Sequence, residues 1–133
     1  MNAPLPLKVT RRDAAARAYD DVSRASNEVA GRLAEKLAMQ TTGEVLFSPA
    51  DRGRYATDAS IYQVMPVGVF VPRSSDDVKT ALDICRDLSV PIVPRGGGTS
   101  QCGQTVGTGL VIDHSKHLRR VLDLNVVERT VKV

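Results

Sequence analysis

The chain has no tryptophan, and phenylalanine and tyrosine bring its aromatic share only to 4%. A surface that stacks successive bases needs aromatic platforms inside a basic groove, so this scarcity argues against a nucleic-acid partner. The 18 basic and 15 acidic side chains, net +3, are mixed along the chain and form no basic stripe. Cysteine is scarce too. Cys85 and Cys102 cannot build a disulfide framework and belong to no C-x-x-C pair, which fits a reducing compartment. Cys85 reads as a small core residue on a helix and Cys102 as a loop thiol. Apolar runs stay far short of the ~20 residues that cross a bilayer, and Pro4 and Pro6 interrupt Met1 to Val9 before a signal-peptide core can form. These absences predict a soluble, cytoplasmic protein with no membrane span and no nucleic-acid partner.

What is present is an ordinary globular composition: 133 residues, 42% hydrophobic and 25% charged, enough for one modest domain or part of a larger one. Residues 1–18 read as a flexible lead-in. Asp20 and Asp21 then offer helix caps ahead of Val22, Ala25, Val29, Leu33 and Leu37, which share one helical face, with Arg24, Asn27, Arg32 and Glu35 opposite. Gly43 is expected to end that helix. The stretch Ser48 to Ser60, dense in turn formers and charge, predicts a loop or short helical turn and completes a segment spanning residues 19–60. Arg52, Arg54, Tyr55 and Asp58 in it read as a solvated turn with local ion pairs.

The pattern changes within residues 61–133. Val67, Val69 and Val71, bounded by Pro66 and Pro72, predict a short strand buried on both faces. Ser74 or Ser75 caps the next helix, with Asp76 and Asp77 in its first turn and Val78, Ala81, Leu82, Cys85 and Leu88 at helical spacing. Ile92-Val93-Pro94 is a second strand, and the strand–helix–strand order predicts a parallel crossover unit. Gly109 to Asp113 is a third strand. Leu118 to Leu124, Val126-Val127 and Thr130 to Val133 hold one or two more, and the strand-like end predicts a fragment.

Chemistry concentrates in the loop Pro94-Arg-Gly-Gly-Gly-Thr-Ser-Gln-Cys-Gly-Gln104, which follows the second strand directly. Three successive glycines bare backbone N–H groups and let the chain approach a ligand closely, forming a concave nest for anionic oxygens. Each donor to a charged phosphate contributes about 1.5 to 3 kcal/mol, so a few of them can hold a diphosphate. Two familiar phosphate loops do not fit. Gly98 to Thr105 has the spacing of an NTPase loop, but Gln104 stands where the lysine must be. The fingerprint G-x-G-x-x-G fails at Gln101 when counted from Gly96 and at Ile112 when counted from Gly107. His114 and His117 lack a third ligand or a carboxylate at useful spacing, so no metal site is expected and they read as surface loop residues.

Pro66 to Val78, Val90 to Ser100 and Gly109 to Asp113 together resemble the first lobe of the FAD-binding fold of the vanillyl-alcohol oxidase / para-cresol methylhydroxylase (PCMH) family. Thr99 to Gln104 looks most like the D-lactate and D-2-hydroxyglutarate dehydrogenase branch, which includes members fused to an iron–sulfur module. The resemblance implies an α+β fold: the N-terminal lobe of a PCMH-type domain, a small parallel βαβ sheet with flanking helices, incomplete at its C-terminus. It implies that FAD lies between two lobes and that a small 2-hydroxy acid passes its α-hydrogen to flavin N5. Pro94, Arg95, Gly96, Gly97, Gly98, Thr99, Ser100, Gly103 and Gln104 would wrap the pyrophosphate. Family members with covalent flavin often carry a histidine in this loop; Thr99, Ser100 and Cys102 occupy that region here, so non-covalent FAD is expected. The family's cap domain, substrate-binding residues and any iron–sulfur cysteines have no counterpart in this sequence, so the catalytic residues are unknown. The alternative is a stand-alone phosphate-binding or protein-interaction module without redox activity.

Overall fold

A computed structural model describes residues 11–133. The first helix, α1, spans Arg11–Gln40, so it begins inside the expected lead-in, of which residues 1–10 lie outside the described residues. Asp20 and Asp21 are therefore interior to the helix and cannot cap it. The reason is that Arg11 to Ala18 contains no glycine or proline, so nothing local stops helix propagation there. Leu33 and Leu37 are fully buried and Val29 is half-buried, while Asn27, Arg32 and Glu35 face solvent as expected. The side chains of Val22, Arg24 and Ala25 lie outside the described residues.

The end of α1 is set by hydrogen bonding, not by a left-handed glycine. Thr41 Oγ1 donates to the Leu37 carbonyl at 2.6 Å, and Thr41 N reaches the same oxygen at 3.1 Å. Gly43 serves close packing instead, because a Cβ there would lie 2.5 Å from the Phe70 ring.

Next comes a strand that the sequence pattern did not suggest, β1 at Glu44–Leu46, followed by the short helix α2 at Pro49–Arg54. Ser48 caps α2 by accepting from Asp51 N. β2 (Gly68–Val71) is buried along its whole length. α3 (Ser75–Asp87) starts at the cap Ser74, which accepts from Asp77 N at 3.1 Å. Its inward face is Asp77, Ala81, Ile84 and Cys85, so Ile84 occupies the place expected for Leu82, which is 42% exposed. β3 (Ile92–Arg95), β4 (Leu110–Asp113) and a terminal hairpin of β5 (Asp123–Asn125) and β6 (Thr130–Lys132) complete the chain.

The main sheet has the order β1-β2-β4-β3. β4 runs parallel to both β2 and β3, while β1 adds an antiparallel edge, so β1 ties residues 19–60 to the sheet of residues 61–133. β2 and β3 flank the strand expected to follow them, because the crossover through α3 skips one position that β4 then fills. Alternation along β2 and β4 makes two apolar layers. Phe70, Leu110 and Ile112 meet Leu33 and Leu37 of α1 and Ala81, Ile84 and Cys85 of α3. Val69, Val71 and Val111 face the other way, against Leu46, Tyr55 and Val93. Burial pushes the Cys85 thiol up to about 11, consistent with a packing residue.

Asp77 is the polar link in this core. Its carboxylate accepts from Thr42 N, Thr42 Oγ1 and Arg73 N at 2.9 to 3.0 Å, pinning the α1–β1 turn to α3. Burial alone would raise its pKa, but the hydrogen bonds from Thr42 and Arg73 outweigh it and hold the group below the usual carboxylate range. No helix among the described residues is long and apolar enough to cross a membrane.

Candidate functional site

Parallel strands place the ends of β2, β3 and β4 at one edge of the sheet, and the glycine loop leaves from the end of β3. Pro94 and Arg95 are the last residues of that strand, and Gly96 to Gln104 form the loop proper. His114 N donates to the Arg95 carbonyl at 3.0 Å, extending the β3–β4 ladder to the point where the loop departs.

From there the chain stops using its donors. None of the amides of Gly96, Gly97, Gly98, Thr99, Ser100 or Gln101 reaches a protein acceptor among the described residues. Gly96 and Gly97 are exposed, and a Cβ on Gly96 would have nothing within 4 Å. Donors left to solvent at a bare backbone surface suit a multiply charged anion, which can accept several of them at once. Gly98 (φ +67°) and Gly103 (φ +78°) take left-handed conformations that bend the loop at its middle and near its end. Ser100 Oγ donates to Gln104 Oε1 and accepts from Gln104 N at 3.3 Å and Cys102 N at 3.4 Å, so Ser100 and Gln104 close the loop on each other.

The loop's underside is tied to the connection after α2. Arg95 packs under the loop: its guanidinium lies 5.2 Å over the Tyr55 ring, donates to the Tyr55 carbonyl at 3.2 Å and fills the space a Cβ on Gly98 would need. Tyr55 Oη donates to Asp113 Oδ2 at 2.7 Å, and Ser115 N donates to Oδ1 at 2.8 Å. Burial and the Asp113 carboxylate push the Tyr55 phenol up to about 12. Burial works against ionised Asp113, but Ser115, Tyr55 and the charge of Arg95 prevail and keep it below the usual range. Ala59 N donates to the Gly98 carbonyl at 3.1 Å, and Thr105 Oγ1 to Asp58 Oδ2 at 2.9 Å. Hydrogen bonds from Ser60 and Thr105 hold Asp58 down at about 2.

Tyr55 and Asp58 thus belong to the loop's support, whereas sequence reasoning placed them in a solvated turn. Arg54 keeps the local ion pair with Asp51, at 2.6 Å, and Arg52 Nε bonds the Pro66 carbonyl at 2.7 Å. His117 joins Lys116 on Glu44 of β1 at 3.1 and 2.6 Å, which lowers the Glu44 carboxyl, chiefly through Lys116. The partners of Tyr55 and Asp58 lie 40 or more residues away and leave no local signal. A cavity of about 500 Å³ lies at the opposite edge of the sheet, where Val67, Pro91 and Thr108 precede the strands. Of the ionisable side chains lining it, Arg52 is already bonded, so it brings no chemistry to compare with the loop.

Comparison with known proteins gives the same emphasis. The FAD binding domain family matches residues 66–133. D-2-hydroxyglutarate dehydrogenase of Pantoea ananatis is 40% identical over 95 residues, covering 69% of this chain and 9% of that enzyme. Glycolate oxidase subunit GlcD of Bacillus subtilis is 40% identical over 100 residues, 71% of this chain and 21% of that subunit. The chain therefore spans only a small part of the length of the relatives it matches. Among solved structures, Physcomitrella patens BBE-like 1 superposes with a TM-score of 0.59 at 21% identity, over 71% of this chain and 21% of the other. 4-Ethylphenol oxidase from Gulosibacter chungangensis gives 0.54 at 18%, over 92% and 22%. At these identities the structural matches establish the fold alone, and it is the PCMH-type fold.

Proposed function

This chain belongs to the FAD binding domain family, and on that premise we propose that it is the diphosphate-holding first lobe of a flavin-dependent oxidoreductase acting on a D-2-hydroxy acid, of the D-2-hydroxyglutarate or D-lactate type. The observation that carries the reading is the run of amides from Gly96 to Gln101 with no protein acceptor among the described residues, in a loop whose carbonyls and side chains are tied down. Gly96, Gly97, Gly98, Thr99 and Ser100 would donate to the diphosphate, with Gly103 and Gln104 shaping the loop's closure. Pro94 and Arg95 position it: Pro94 carries the strand to the loop, and Arg95 supports Gly98 from below. When bound, FAD supplies the hydride acceptor for the substrate's α-carbon.

The attachment would be non-covalent, since Thr99, Ser100 and Cys102 offer no histidine in the loop. Residues 61–133 would be the lobe itself and residues 19–60 its supporting helix and connection. Substrate-binding and catalytic groups, and an iron–sulfur module if the protein has one, would come from other parts of the polypeptide. This chain alone would bind FAD weakly and turn nothing over, because it offers partners to the diphosphate and few to the rings.

The test is to express the complete reading frame that contains this chain. The expected product is yellow, loses its flavin absorbance anaerobically on adding D-2-hydroxyglutarate or D-lactate, and releases FAD on acid precipitation. A well-folded, colourless protein indifferent to added FAD overturns the proposal.

A further inference from the structure

We propose that the connection from Tyr55 to Ser60 is a brace that sets the glycine loop in its ligand-receiving shape before any ligand arrives, and that Asp58, acting through Thr105, is a positioning residue for a diphosphate. The inference rests on the functional reading above and adds to it the residues that make the loop competent.

Three ties hold the loop, one at each stage of its path. At its start the Arg95 guanidinium rests on the Tyr55 ring and carbonyl. In its middle the Gly98 carbonyl accepts from Ala59 N at 3.1 Å. Just past its end Thr105 Oγ1 donates to Asp58 Oδ2 at 2.9 Å. Every one of these ties uses a carbonyl, a hydroxyl or a side chain of the loop, and none uses an amide between Gly96 and Gln101. A loop fastened only by its acceptors and side chains keeps its N–H groups for something else.

Asp58 is the informative member, because a carboxylate beside an anion site ought to repel the anion. Its two oxygens are committed elsewhere: Oδ1 to Ser60 N at 2.8 Å and Oδ2 to Thr105. The charge is thereby satisfied within the brace. The gain is preorganisation. Ordering a loop on binding consumes affinity, and a loop already fixed in its bound shape avoids that loss.

The experiment uses the complete protein, stripped of flavin, with FAD and riboflavin as probes and fluorescence titration as the readout. Asp58→Ala and Thr105→Val are each expected to raise the Kd for FAD roughly tenfold, and the double variant no further than the larger single change, since both remove the same link. Thr105→Ser, which keeps the hydroxyl, should restore wild-type affinity. Riboflavin, which has no diphosphate, should bind all variants alike. Additive losses, equal weakening of FAD and riboflavin, or FAD affinity within about twofold of wild type in both single variants would overturn the brace while leaving the functional reading intact. Wild-type protein that binds no FAD would overturn both.

Discussion

At the start of β4, a Cβ on Gly109 would sit 2.2 Å from the Pro91 carbonyl oxygen; at the end of β3, one on Gly96 would meet nothing within 4 Å. The two glycines stand at opposite edges of the same parallel strands and answer to different constraints. Around Gly109 main chains are drawn into contact, with Leu110 N on the Pro91 carbonyl at 2.8 Å and Val67 N on Thr108 O at 3.0 Å. Around Gly96 no such approach exists, and the amides from Gly96 to Gln101 reach no protein acceptor among the described residues. One edge closes the fold by bringing main chains into contact, and the other is the one proposed above to receive a ligand. Damage at the first should therefore appear as lost stability, and damage at the second as lost binding.

The comparison is broken most severely from the closed side. Phe70 is fully buried, belongs to the helix-facing layer and fills the space over Gly43. Phe70→Ala is expected to lower the stability of the 133-residue chain by about 4 kcal/mol, read from chemical denaturation. Gly109→Ala should follow at about 3 kcal/mol, because the obstructing atom is backbone and cannot rotate away. A Gly109→Ala chain as stable as wild type would show that this edge is not packed as described.

Tyr55 stands between the two edges, linking a core-facing ring to the loop's support. Its phenol is raised to about 12 from an ordinary value of about 10, so folding favours the protonated form. That contribution is complete below about pH 10 and is lost as pH rises from about 10 to about 12. Because the ring is only partly buried, screening reduces the effect to about 1 kcal/mol. Tyr55→Phe should flatten this alkaline decline in the denaturation midpoint. On the acid side, Asp77 and Asp113 are both held below the ordinary carboxylate value, so their contribution is present above about pH 4 and lost as pH falls through their lowered values. An unchanged alkaline limb in Tyr55→Phe would separate Tyr55 from that behaviour.

How far these features were legible depended on whether their partners are near in sequence. Strands β2, β3 and β4, the cap at Ser74 and the glycine loop could all be read, because apolar runs, turn residues and glycine clusters are local signals. β1 was hidden: its three residues are too few to establish alternation, and its place is decided by pairing with β2, more than twenty residues on. The start of α1 was misplaced because good capping residues at positions 20 and 21 compete with an uninterrupted helix-forming stretch before them. Leu82 and Ile84 are equally apolar, and only the angle at which α3 meets the sheet decides which is covered. The open amides of the loop were foreseeable from its glycines, but the hydrogen bonds of Tyr55 and Asp58 were not, since Tyr55–Asp113 and Asp58–Thr105 are separated by 58 and 47 residues.

The smallest effect on stability sharpens the comparison most. Gly96 lies outside the left-handed region and has open space where a Cβ would go, so Gly96→Ala should change the stability of the chain by no more than about 0.5 kcal/mol in either direction. Under the proposed function, the same methyl would stand on the surface that the diphosphate approaches, next to the amides it would use. In the complete protein the Kd for FAD is then expected to rise roughly tenfold, by flavin fluorescence titration, while the denaturation midpoint stays where it was. Loss of both stability and affinity would mean that Gly96 is constrained by the fold in the way Gly109 is. Loss of neither would mean that the spare donors at this edge are not where the ligand binds.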